Sequence, residues 1–294
     1  MRTRHFHSAL VLALLIVGPD SSLRAQTGSG SVKAQSLGAI TVSRGLAYLT
    51  RDQRDARTTH VEILLTDVAL DAAVVQTAFD PHLTAINLDA LQDRNYVLLW
   101  VNADGSVGMN ATYSKTMTQF IDDTRGGLAV TWTTRSASRL AGRLVSKGAL
   151  KTLDGSTYAV DLTFDVEVPA APAGPGLPAG GGEPGQALRA LLAAAEKRDW
   201  PAIRAGSSAE ALKTFERSYN TPAENAESTA DLLKAWMSIE KLEITGGTAD
   251  SDTVVVLDVE GELFPGQRAL TRVRMVKSGN RWQFDRAARA GMVP

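Results

Sequence analysis

The sequence contains no cysteine. Disulfides, thiolate metal sites, a cysteine nucleophile and a lipid-bearing cysteine are therefore excluded, and stability has to come from packed cores. Histidine is nearly as scarce, with 4 in 294 residues. No H-E-x-x-H or comparable spacing occurs, so neither a catalytic zinc site nor any other metal is expected. Neither sign of charge is in excess, with 31 Lys and Arg against 32 Asp and Glu. Nothing in that balance would hold a phosphate backbone, and nucleic acid is not an expected partner. No G-x-S-x-G elbow and no phosphate loop are present. Gly174-Pro175-Gly176-Leu177-Pro178-Ala179 matches the dinucleotide fingerprint only as letters, because no buried parallel strand precedes it and prolines interrupt it. No cofactor follows from any motif.

What is present begins with a leader-like segment. Arg2 and Arg4 precede an apolar run from Ala9 to Val17, which is 9 residues long. That is far below the ~20 needed to span a bilayer. Gly18 and Pro19 break the run, and small or polar residues lead to Ala25. The layout predicts a secretory signal peptide over residues 1–25, no membrane span after its removal, and a periplasmic or secreted product. Without these residues the chain keeps 28 basic and 31 acidic side chains, a net charge of −3. Of the histidines only His60 and His82 remain.

The hydrophobic fraction, 44%, is ordinary for chains with real cores. Residues 26–37, rich in Ser and Gly, read as a flexible N-terminus. Over 38–168 strand signals dominate. Tyr96 to Val101, the turn Asn102-Ala103-Asp104-Gly105 and the alternating Val107, Met109 and Ala111 form a hairpin pattern. The clearest strand carries Tyr158, Val160, Leu162, Phe164, Val166 and Val168 on one face. Short helical pieces are expected at 71–76 and 81–91. The sum is a mainly antiparallel β-sandwich or half-barrel. From Pro169 to Gly185, 11 of 17 residues are Pro or Gly, the composition of a semi-rigid linker between two domains.

After the linker, over 186–294, the period changes to 3.6. Leu188, Leu191, Leu192 and Ala195 mark one helix, and Pro201 opens a second. Ser207 with Glu210, and then Thr221, Pro222 and Glu224, read as helix starts. Leu233, Trp236 and Met237 form the last helical stripe. Four strand patterns close the chain, the last two joined by the turn Ser278-Gly279-Asn280. Helices followed by an antiparallel sheet make an α+β cone.

Two stretches of this second module carry a resemblance. The opening Ala187-Leu188-Arg189-Ala190-Leu191-Leu192-Ala193-Ala194 with Lys197-Arg198-Asp199-Trp200, and the closing hairpin Val273-Arg274-Met275-Val276-Lys277 with Arg281-Trp282-Gln283-Phe284-Asp285, resemble nuclear-transport-factor-2-like (cystatin-like) domains of exported proteins. The resemblance implies a cone-shaped fold; isomerases, dehydratases and noncatalytic modules share that fold, so it implies no particular activity. The family's isomerase pattern of a pocket Tyr and two Asp is not identifiable. More faintly, Ala39 to Val42, Leu64 to Asp67 and Leu140 to Leu144 resemble a β-rich domain of exported bacterial proteins.

The chemical candidates are few. His60 and Glu62 share one strand face and form a weak polar pair, while His82 reads as a loop histidine. Asp122-Asp123 and Asp250 with Asp252 read as solvated carboxylates rather than an acid and base pair. No catalytic residue is assigned. A ligand pocket inside the cone would be lined by Trp200, Tyr219 and Trp236, with Arg272 and Arg274 placed to meet an anion. The expected protein is thus an exported, noncatalytic two-module chain that binds a small hydrophobic ligand or an envelope protein. The alternative is an isomerase- or hydrolase-type enzyme that uses the cone pocket.

Overall fold

The computed structural model describes residues 26–152, 155–171, 174–219, 233 and 240–294. The expected leader, the helix start at Thr221 and the Trp236 and Met237 stripe lie outside the described residues. The strands of the first sheet are β1 (Thr27–Ala34), β2 (Gly38–Arg51), β3 (Thr59–Thr66), β4 (Tyr96–Val101), β5 (Val107–Tyr113), β6 (Thr118–Asp123), β7 (Leu128–Arg135), β8 (Arg139–Ser146), β9 (Leu150–Lys151) and β10 (Thr157–Glu167). They form one antiparallel sheet in the order β6-β5-β4-β3-β2-β1-β10-β8-β7, with β9 on β10.

The sheet is a curled half-barrel, not a two-sheet sandwich. Alternation supplies the reason: inward side chains from every part of the sheet, among them Val32, Ile63, Leu99, Met109, Phe120, Leu144 and Phe164, merge into one core. Aromatic contacts tie strands that are distant along the sheet. Phe120 stacks on Tyr158 at 4.8 Å, and Trp132 meets Phe164 edge-on at 5.6 Å.

Residues 27–34, expected to be flexible, lie near the middle of the sheet as β1, between β2 and β10. Only Gly28, Val32 and Ala34 are buried along it, so its Ser, Gly and Lys residues conceal a strand from a composition reading. Gly30 is required: its φ is +110°, and a Cβ there would stand 2.1 Å from the Asp161 carbonyl oxygen.

Between β3 and β4 the chain crosses the outer face of the sheet through α1 (Ala72–Gln76) and α2 (Pro81–Ile86). Asp71 and Asp80 cap the two helices through their side chains, and Pro81 starts the second. This crossover seals Leu46, Tyr48, Leu64 and Leu98 beneath Val75, Ala85 and Leu91.

The second sheet comprises β11 (Gly176–Leu177), β12 (Glu240–Ser251), β13 (Val254–Phe264), β14 (Gln267–Ser278) and β15 (Arg281–Val293), paired antiparallel in that order. Helices α3 (Gly182–Glu196), α4 (Trp200–Ala205) and α5 (Ala209–Tyr219) precede β12. Leu188, Leu191, Ile203 and Phe215 from the helices pack on Val255, Leu257, Val273, Met275 and Phe284 of the sheet. Pro201 opens α4 as the sequence predicts, and Asp199 caps it. For α5 the cap is Ser208 rather than Ser207: its Oγ accepts from Ala211 N at 3.0 Å and donates to Asp285 at 2.8 Å.

The Pro and Gly-rich stretch is less of a spacer than its composition suggests. Ala249 N donates to Pro175 O and Gly180 N to Ile244 O, so residues 175–180 cover the edge of β12. Helix α3 already starts at Gly182, its first turn tolerating Pro184.

The two sheets meet along a seam. The outer face of β13, β14 and β15 receives the β2–β3 loop: Ala56 N donates to Met292 O at 2.8 Å, and Met292 N to Gln53 O at 2.9 Å. Ala56, Leu270 and Val293 form a small apolar cluster there. Around it Arg57 grips Glu260 through two bonds of 3.1 and 2.9 Å, and Arg51 reaches Asp258 at 3.5 Å.

Candidate binding site at the seam

The period-2 pattern of β3 sends Ile63 and Leu65 into the barrel core and leaves Glu62 on the outer face. A carboxylate on an apolar outer face has to find partners or be protonated. Glu62 is buried and finds both histidines: His82 Nδ1 lies 2.7 Å from one carboxylate oxygen and His60 Nε2 3.4 Å from the other. His82 arrives on α2, set by the Asp80 cap and Pro81. The sequence paired His60 with Glu62 correctly and gave His82, within the expected helical piece at 81–91, no partner, so the convergence of both on one carboxylate is the main feature it left unread.

The electrostatics follow from the geometry. Burial alone would raise the Glu62 carboxyl, but hydrogen bonds from His60 and His82 and the His82 charge outweigh it and hold it at about 2. The bond to Glu62 raises His82 above its usual range against the opposing effect of burial. Tyr48, fully buried beside them, is pushed upward by burial and then by the Glu62 charge. Its hydroxyl acts on Glu62 without full hydrogen-bond geometry, His60 Nδ1 faces Asp52 Oδ2 at 4.0 Å, beyond hydrogen-bond range, and Arg272 Nε has no hydrogen-bond partner.

Arg272 approaches from the second sheet. Its Nη1 donates to Phe79 O at 3.3 Å, and its guanidinium sits 5.6 Å from the Phe79 ring centre. Phe79 precedes Asp80, whose carboxylate acts electrostatically on both Tyr48 and Arg272. Burial lowers the Arg272 pKa, and Asp258 partly counters it. The crossover therefore links the buried Glu62 cluster to the outer face of β14. Among the described residues no group of three His, Asp or Glu side chains is arranged to hold a metal ion.

Of the residues expected to line a cone pocket, Trp200 and the two arginines lie on opposite faces of the second sheet. Trp200 opens α4 and packs half-buried on the helix side of the second sheet. Arg272 and Arg274 alternate with Val273 and Met275, which face the helices, so the arginines project from the opposite face. Arg274 lies 3.8 Å from Asp285, and its Nε is buried without a partner. The Tyr219 side chain and Trp236 lie outside the described residues.

An open depression of about 510 Å³ lies over β1, β8 and β10. Its strongest donor is already engaged, since Arg143 makes two bonds to Asp161 at 2.9 and 2.8 Å. Asp122, read as a solvated carboxylate, accepts from Gly127 N and from the Tyr158 hydroxyl.

The cluster imposes a pH dependence. His82 has a raised folded pKa, so its contribution is complete below its unfolded value near 6.5 and is lost as pH rises through the folded value. Glu62 has the opposite sign: its contribution is present above its unfolded value of 4.5 and lost as pH falls toward about 2. Urea unfolding at a series of pH values should show this contribution greatest between about 4.5 and 6.5. A His82→Ala variant whose stability varies with pH as the parent's does would contradict the assignment.

Comparison with protein-family models, curated proteins and solved structures finds no match to this chain.

Proposed function

We propose that this chain is an exported, noncatalytic binding protein of two domains, a β half-barrel and a nuclear-transport-factor-2-like α+β cone, which together form a site for a small polar ligand at their seam. One observation carries the reading: beside ionised Glu62 the buried Tyr48 hydroxyl and His60 Nδ1 lack a well-formed hydrogen bond, and Arg272, held on the same crossover at Phe79, has a buried Nε without one. Buried polar groups are nearly always paired in folded proteins, and ligand sites favour domain boundaries. The mix of donors with a carboxylate suits a ligand carrying hydroxyl or amide groups better than a hydrocarbon. A hydrophobic ligand or an enzyme inside the cone has less support. Among the described residues, Leu188, Leu191, Phe215, Leu257 and Phe284 already fill the layer between helices and sheet.

The test is a thermal-shift screen of the full chain, residues 26–294, against polar metabolites. A ligand at 100 times its Kd adds ~2.7 kcal/mol of stability. Tyr48→Phe, which removes one hydroxyl, should weaken the hit about tenfold, or ~1.4 kcal/mol. Hits that are indifferent to Tyr48→Phe and Arg272→Met, or turnover of a hit by the chain, would overturn the proposal.

A further inference from the structure

Among the described residues, two sheet edges are covered through backbone bonds, and a third, at β7, is met by a turn through side chains alone. Residues 175–180 lie along β12. The edge of β15 is capped at one end by Gly206 and Ser208, which bond to Phe284, and at the other by Gln53 and Ala56, which bond to Met292. The β4–β5 turn crosses β7, with Trp132 Nε1 donating to Gly105 O and Arg135 Nη1 to Ala103 O.

The edge at β6 differs. Thr124 N donates to Val107 O, and the register sets Asp123 opposite Gly108. Residues 118, 120, 122 and 124 therefore turn their backbone toward β5, and residues 119, 121 and 123 turn theirs outward. Asp123 is satisfied locally: its N–H donates to Asp122 Oδ1, and its carbonyl accepts from Gly126 N. Gln119 and Ile121 are left with outward N–H and C=O groups. Ile121 is 65% exposed and the adjoining Met117 84%. β6 carries no Lys or Pro, and its charges, inward Asp122 and the neighbouring Asp123, sit together at its C-terminal end, leaving the run Thr118-Gln119-Phe120-Ile121 without the devices that normally blunt an edge.

We propose that β6 pairs antiparallel with β6 of a second copy of this chain, with the dyad passing through Phe120. A sheet continued across a dyad requires facing residues to share a face, so Gln119 must oppose Ile121 of the second copy, and Ile121 its Gln119. These are the two residues with free backbone groups. The two close pairs exchange four N–H···O bonds. This register also places Asp122 opposite Thr118 of the second copy, whereas parallel pairing would set the acidic ends side by side.

Sedimentation velocity on the full chain from low to high micromolar concentration should show a reversible dimer. Ile121→Lys should raise its dissociation constant about tenfold or more, while Val74→Lys, on the exposed face of α1, should leave it unchanged. The register has its own test, because the chain has no native cysteine. The double variant Gln119→Cys/Ile121→Cys should cross-link into an oxidised dimer, its facing Cα atoms being about 5.5 Å apart. Gln119→Cys alone should not, because its thiols are offset along the strands. A chain that is monomeric at every concentration, a dimer indifferent to Ile121→Lys, or a cross-link in the single variant would each overturn the proposal. So would a β6 edge that captures a strand of a different protein while this chain stays monomeric.

Discussion

Glu62→Ala is expected to lower the unfolding free energy by about 3–5 kcal/mol, the usual cost of removing one member of a buried ion pair. The variant leaves His82 and His60 facing an apolar gap, and the Tyr48 hydroxyl loses the charge beside it. Protonated His82, half-buried, would then lack its main counter-charge and keep only the weaker influence of Asp80, so its titration should fall from its raised value. Glu62→Gln separates charge from shape. It keeps acceptor oxygen and volume, and should cost less, about 1–3 kcal/mol, while still abolishing the upward shift of His82. Urea unfolding at pH 6 gives the energies. The histidine ring protons give the titrations, with only His60 and His82 present after residue 25. A Glu62→Ala protein as stable as the parent, with His82 titrating as before, would show that the cluster is solvated and holds nothing in place.

How far the sequence revealed this arrangement depends on the range of each interaction. The alternation in β10 places Tyr158, Val160, Leu162, Phe164 and Val166 in the core, and all five are buried. Periodicity is a local property, and that strand is long. The same rule put His60 and Glu62 on one face, and Arg272 and Arg274 on one face, correctly in both instances. It could not say which element would cover either face. His82 is 20 residues from Glu62, and Arg57 is 203 residues from Glu260, so neither contact leaves any trace in a spacing. The misread segments failed for a different reason. β1 and residues 175–180 are paired through backbone groups while carrying Ser, Gly and Pro, and composition reports side chains rather than ladders.

Ala56→Asp is expected to part the two sheets without unfolding either. Ala56 is fully buried against Leu270 and Val293, and a carboxylate there would be close to Glu260 and Asp258. Keeping the seam closed would mean desolvating an unpaired charge, at several kcal/mol. The apolar gain at this small cluster cannot match that, so the β2–β3 loop should leave the face of β15. Gly291→Val attacks the same contact through the backbone: at φ +147° a Cβ would stand 2.7 Å from Asp52 O. Arg57→Ala should do less, because Arg57 is more than half exposed and Arg268 still reaches Glu260 at 3.3 Å. Each sheet retains its own core, so the open protein should keep its far-ultraviolet dichroism, show a larger radius of gyration by small-angle scattering, and become cleavable within residues 52–58. If Ala56→Asp instead unfolds the whole chain in a single transition, the seam is part of one cooperative core, and a ligand bound there would stabilise both sheets together.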